Sequence, residues 1–256
     1  AELKALRTRL VDARADMDET VKLAKTLPWP QFNRETEYVA LRKEEEYAFI
    51  DGVITTTDGG KYELKDYRQV TNERMVKHST AKHTAHKRES YMVGALARFN
   101  INYDKLHPRA QAAAAELGLK PICTNPYLNT AAQVVEMVHS VEDAIRIIDE
   151  LVDRGVKPEP LPPFPGKGGE GVGSCEVPRG ILFHNYQIGD DGKVIGANCI
   201  IPTGQNLANI DADMRALVPQ ILDRPQDEIR QLLEMLVRAY DPCISCSVHF
   251  LDVKFV

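Results

Sequence analysis

Apolar residues at Leu3, Leu6, Leu10, Ala13, Met17, Val21 and Ala24 recur in steps of three and four, while the positions between them are charged. This spacing predicts a long helix from Leu3 to about Leu27, stopped by Pro28 and Pro30. Between about Glu37 and Tyr67 the period shortens to brief β-branched and aromatic runs, with turn signals at Asp51-Gly52 and Asp58-Gly59-Gly60. A small antiparallel sheet of hairpins is expected there. Helical spacing returns in an alanine-rich segment that begins at His107-Pro108 and stops at Gly118. It returns again from about Asn129 to Val152, where Ala131, Val134, Val135, Val138, Ala144, Ile145, Ile148 and Leu151 mark the buried side. Five prolines followed by five glycines across residues 156–174 predict a connecting loop. Beyond it, two extended runs around Asp190-Asp191-Gly192 predict a hairpin. Two helices follow, one with Ile210, Met214, Leu217 and Ile221 on a stripe, the other with Ile229, Leu232, Leu236 and Val237.

The pattern as a whole is α+β and mainly α, a core bundle of long helices with small antiparallel β hairpins. Residues 1–155 form a helical region with hairpins inserted at about 37–67, residues 156–174 the loop, and residues 175–256 a terminal hairpin plus helices. An apolar content of 43% is that of a chain with a sizeable core. The net charge of −5, with both signs interspersed, offers no basic face for nucleic acid and no polybasic anchor. The apolar runs fall short of a membrane span. With five cysteines in 256 residues, the chain reads as a cytoplasmic protein with reduced thiols. It opens at Ala1 inside a helical pattern, which suggests processing or a part of something larger.

Candidate chemistry falls at four places. His83 and His86 lie at helical spacing in a lysine-rich stretch, which opposes a cation and reads as a solvated or interface face. Cys123 reads as a packed residue. The glycine-rich part of the loop lacks the lysine and the strand-before-helix setting of a phosphate loop. At the end of the chain, Asp241-Pro242-Cys243-Ile244-Ser245-Cys246-Ser247-Val248-His249 sets two thiols three positions apart and an imidazole three further on. That is metal-ligand spacing. Pro242 biases Asp241 towards an extended conformation. A structural zinc site completed by Cys175, Cys199 or His184, a redox dithiol and a disulfide staple all remain open on spacing alone.

Taken jointly, Glu176-Val177-Pro178-Arg179-Gly180 with His184, Ala197-Asn198-Cys199 to Pro202-Thr203 and Asn206, and Asp241-Pro242-Cys243 to Cys246 and His249 resemble the large subunit of nickel-iron hydrogenases. The segment Glu89 to Asn100, with Arg98, looks like the same family. Within it the chain is most similar to the soluble cytoplasmic group that couples hydrogen to nicotinamide, deazaflavin or heterodisulfide-linked carriers. The resemblance implies a nickel-iron centre with cyanide and carbon monoxide on the iron. Cys243 would be a terminal nickel thiolate and Cys246 a thiolate bridging nickel and iron. Arg179 and Asp241 would form a charged pair at the open metal position. Thr203 and the backbone around Pro178 and Arg179 would bond the cyanides, and the Cys199 carbonyl with the His249 ring would hold a magnesium or second iron.

The family's other two metal cysteines sit in an N-terminal Arg-x-Cys-Gly-x-Cys motif that this sequence lacks. The resemblance therefore implies that the chain is the C-terminal portion of a large subunit. An N-terminal part would supply the second cysteine pair, and a small subunit would carry iron-sulfur clusters. The tail from Phe250 to Val256 implies an uncleaved precursor or a form that matures without proteolysis. A non-catalytic or immature scaffold subunit is the alternative.

Overall fold

The computed structural model describes residues 2–161 and 166–243. Cys246, His249 and the tail 250–256 lie outside the described residues. The chain order is α1 (Glu2–Thr26), β1 (Glu37–Arg42), β2 (Val53–Thr56), β3 (Gly60–Tyr62), α2 (Tyr67–Thr71), β4 (Arg74–Val76), β5 (Ser79–His83), β6 (Tyr91–Met92), α3 (Ala95–Asn102), α4 (Pro108–Glu116), α5 (Asn129–Arg154), β7 (Gly169–Val177), β8 (Gly180–Ile188), β9 (Val194–Ile200), α6 (Pro202–Ile221) and α7 (Gln226–Ala239). The fold is α+β and mainly α.

The long helices arise where the sequence pattern placed them. α1 and α5 pack along one another, and α4 starts with Pro108 at its first position, where the missing amide has no helical partner to lose. Their apolar faces meet α3, α6 and α7 in one core, built around Leu96, Phe99, Val135, Val138, Leu217 and Leu236. Each fully buried leucine or phenylalanine contributes roughly 1.5–3 kcal/mol. A second core lies between the sheets, with Val39, Leu41, Ile54, Tyr91, Ile181 and Phe183 at its centre.

Four expectations are corrected. The hairpins β1, β2 and β3 form, but β6 adds to β1 in parallel, giving a mixed sheet in the order β3-β2-β1-β6. The glycine-rich end of the expected loop is strand, because β7 begins at Gly169 and pairs with β8 from Gly169↔Ile188 to Val177↔Gly180. Glycine lowers strand propensity, and the full backbone ladder to β8 overrides it here. His83 and His86 are neither helical nor solvated: His83 ends β5 in a buried position, and burial lowers its pKa. His86 is enclosed between Glu37 (Nδ1 to Oε1, 2.6 Å) and the Tyr62 hydroxyl (2.9 Å). Lys82 pairs with Glu73 (2.9 Å), and Glu37 faces His86, so counting charge along the sequence misjudged the local field. Asp241 is the fourth case, with φ +50° in the left-handed region instead of extended. The end of α7 imposes this, since the Asp241 amide still bonds the Arg238 carbonyl (2.9 Å) as the helix terminates.

Candidate metal centre

Three chain segments converge. The first is the two-residue turn between β7 and β8, where Val177 pairs with Gly180 and Pro178 and Arg179 form the tip. The second is the first turn of α6, which carries Thr203. The third is the exit from α7, Tyr240 to Cys243.

Arg179 joins the first segment to the third. Its Nε donates to the Asp241 carbonyl (2.5 Å) and its terminal nitrogen to Asp241 Oδ1 (3.3 Å). Both side chains are more than a third exposed, at 38% and 37%. Such a pair adds little to stability, so its worth lies in placing a guanidinium beside the α7 exit. Thr203 joins the second segment to the third, because its hydroxyl accepts the Cys243 amide (3.1 Å). Gln133 of α5 reaches Asp241 Oδ2 (3.4 Å). The thiol of Cys243, half-buried, is therefore two residues from a carboxylate bound to a guanidinium.

Buried polar groups hold these segments. Asn129 accepts the Leu96 amide (2.8 Å) and donates to the Ala239 carbonyl (2.7 Å), tying the start of α3 to the end of α7. Asn206 accepts the Val93 amide (2.9 Å) and donates to the Val93 carbonyl (3.2 Å). The turn is pressed against Val93: a Cβ on Gly180 would lie 2.4 Å from Val93 Cγ2, and Gly180 has φ +134°. Only glycine fits both demands. Behind the turn, Arg98 is buried with Glu136 and Glu176. Burial pushes the Glu176 carboxyl up to about 7 against the pull of Arg98 and the Leu41 amide. Beneath α7, Tyr240 donates to Asp213, which also pairs with Arg34. Burial raises the pKa of Asp213.

The structure thus brings Arg179, Asp241, Cys243 and Thr203 together, with Pro178 beside Arg179. The Cys199 thiol lies on the exposed face of the β8–β9 hairpin, 3.5 Å from His184 Nδ1 and 3.8 Å from the Tyr186 hydroxyl. His184 is paired with that hydroxyl (2.9 Å) and not with Arg179. Cys123 is packed against the helical core, and burial pushes its thiol pKa up. Among the described residues no group of three or more His, Cys, Asp and Glu can hold a metal ion unaided. The described donor set is one soft thiol beside a charged pair, which fits one edge of a thiolate-bound metal and no closed shell.

The supporting residues Asn129, Gln133, Glu136 and Asp213 escaped sequence reasoning. A signal existed for one set: Glu136, His139 and Glu142 follow one another at steps of three along α5, and all three are buried. Polar residues in register beside an apolar stripe mark a packed face with its own partners.

The model of the nickel-dependent hydrogenase family matches residues 56–249. This chain belongs to that family. It is 34% identical over 253 residues to sulfhydrogenase 1 subunit alpha of Pyrococcus furiosus, covering 96% of this chain and 58% of the relative. Sulfhydrogenase 2 subunit alpha of the same organism is 33% identical over 179 residues, with 70% of this chain and 43% of the relative covered. A crystal structure of an NAD+-reducing [NiFe]-hydrogenase in the H2-reduced state superposes with a TM-score of 0.81 at 25% identity, covering 97% of this chain and 60% of that one. The chain thus spans no more than about three-fifths of the relatives it matches. No helix among the described residues is long and apolar enough to cross a membrane.

Proposed function

We propose that this chain is the C-terminal portion of the catalytic subunit of a nickel-iron hydrogenase, which splits H2 reversibly into protons and electrons. One observation carries the reading: Arg179 is ion-paired with Asp241, two residues from Cys243, whose amide is anchored on Thr203. Family membership supports the metal assignment. Cys243 and Cys246 would hold the nickel-iron pair from this side, and two further cysteines would come from an N-terminal part that completes one compact domain. When bound, the metal pair supplies the electron acceptor and polarises dihydrogen.

The chain's own residues do the rest. Arg179 sets a fixed positive charge at the α7 exit, held there by Asp241 two residues before Cys243. Asp241, partly exposed and bonded by Arg179 and Gln133, takes a proton leaving the site and passes it towards solvent. The Thr203 hydroxyl and the backbone at Pro178 and Arg179 offer hydrogen bonds to cyanides on the iron. The His249 ring and the Cys199 carbonyl would hold magnesium or a second iron. With two of its five cysteines given to the metal site, the chain keeps too few to hold an iron-sulfur cluster as well, and a partner subunit would carry the clusters. The likeness to an NAD+-reducing enzyme supports a nicotinamide-linked electron-transfer subunit.

The test is hydrogen-dependent dye reduction by the complete complex carrying Arg179→Lys. Lysine keeps the charge but loses the planar fork. Turnover is expected to fall by roughly 100-fold or more, as for other preorganised charge-stabilising groups, with nickel content unchanged. Undiminished turnover would refute the assignment.

A further inference from the structure

We infer that Arg98 is a positioning residue for this site: from the core behind the β7–β8 turn it fixes the Val177 and Pro178 carbonyls, and with them the point from which Arg179 reaches Asp241. Arg98 is 1% exposed. A guanidinium carries five N–H donors, and here each has an acceptor. Nε and one terminal hydrogen go to Glu136 (2.6 and 2.7 Å). A third goes to Glu176 (2.8 Å). The remaining two go to the carbonyls of Val177 (2.9 Å) and Pro178 (3.1 Å).

These are consecutive peptide planes, and the second is the one that leads into Arg179. Holding both leaves the turn little freedom to swing the arginine. The start of α3, the helix that carries Arg98, also lies close against the turn, since a Cβ on Gly94 would lie 3.2 Å from the Arg179 carbonyl. A buried arginine with carboxylates is a poor way to gain stability, since desolvation offsets much of the Coulomb attraction. A fork that serves two carbonyls and two carboxylates at once explains why arginine occupies this position, and lysine cannot reproduce it.

The inference rests on the hydrogenase reading only for its activity arm; the backbone arm stands apart. The experiment uses the complete complex with Arg98→Lys, the milder Glu136→Asp in case the first fails to assemble, and Tyr47→Phe as a control. Tyr47 donates to Glu136 (2.6 Å) in the same buried cluster and not to the turn. Hydrogen exchange read by mass spectrometry should rise about tenfold or more for the peptide over residues 176–182 in Arg98→Lys, with α5 unchanged. Turnover should fall roughly 100-fold at constant nickel content, the scale of a small misplacement of a reacting group. In an Arg179→Lys background, Arg98→Lys should cost less than about twofold more, because the two act through one element. Glu136→Asp should move both readouts in the same direction by about tenfold, and Tyr47→Phe should move neither. Unchanged exchange in the turn, or effects of Arg98→Lys and Arg179→Lys that multiply, would overturn the inference. A wild-type complex without hydrogen turnover would sink the hydrogenase reading, and the exchange arm would still decide this one.

Discussion

Two arginines, Arg98 buried and Arg34 half-buried, stand behind the two arms of the site, and they are used differently. Arg98 is closed off from water, faces two carboxylates and spends its last donors on backbone carbonyls of the turn. Arg34 keeps a fifth of its side chain exposed, faces the single carboxylate of Asp213 and donates to the Asn209 side chain (2.7 Å). Asn209 in turn accepts from Thr36 (2.6 Å) and Ser90 (2.8 Å) and donates to Tyr240 (2.7 Å). One network holds a peptide conformation, and the other holds a side chain at the end of a helix. The arm carrying Arg179 needs orientation to act on the α7 exit, whereas the arm carrying Cys243 needs only a secure anchor for Tyr240.

The largest expected effect breaks the first network. Glu136→Leu leaves the Arg98 charge facing only Glu176 in a dry interior and should cost about 3–5 kcal/mol, read as a fall in Tm. Next comes pH. Glu176 holds its proton up to about 7, above the ordinary carboxyl value, so the folded state binds more protons than the unfolded state between those limits. Stability should therefore be full near pH 4.5 from this group and fall as pH rises through 7, by at most about 3 kcal/mol, and Glu176→Gln should flatten that slope.

Breaking the second network costs less. Asp213→Asn frees Arg34, which can rehydrate, and should cost about 1.5–3 kcal/mol. Tyr240→Phe removes one donor and one acceptor and should cost about 1–1.5 kcal/mol. If Tyr240→Phe proved as damaging as Glu136→Leu, the contrast between the networks would be lost. Arg179→Lys is the smallest in stability, within about 0.5 kcal/mol, because the Arg179–Asp241 pair is open to solvent.

Most of the fold was legible from periodicity. α1, α5, α6 and α7 are long, and the stripes of α5, α6 and α7 bury one face, while α1 buries only Val21 and Ala24 of its stripe. The parallel pairing of β6 with β1 was not, because a two-residue strand has no period and its partner lies some fifty residues away. β7 was hidden by its glycines, whose strand conformation comes from the ladder to β8 and not from side chains. Of the site, Arg179, Asp241, Cys243 and Thr203 were legible through the resemblance. Arg98 stood inside a quoted motif with no role, since nothing local to residue 98 shows that residues 136 and 176 enclose it. Asp241 carried a wrong conformational expectation because the proline rule describes chains in isolation and the helix end decides here.

The central claim is that the thiol of Cys243, beside the Arg179–Asp241 pair, is a ligand to nickel. Nickel X-ray absorption on the complete complex, alongside its elemental nickel content, tests it most directly. The account predicts about one nickel per chain in a sulfur-rich shell, with nickel and hydrogen turnover both lost in Cys243→Ser. A complex that held zinc instead, or that kept its nickel and its sulfur shell unchanged after Cys243→Ser, would contradict it.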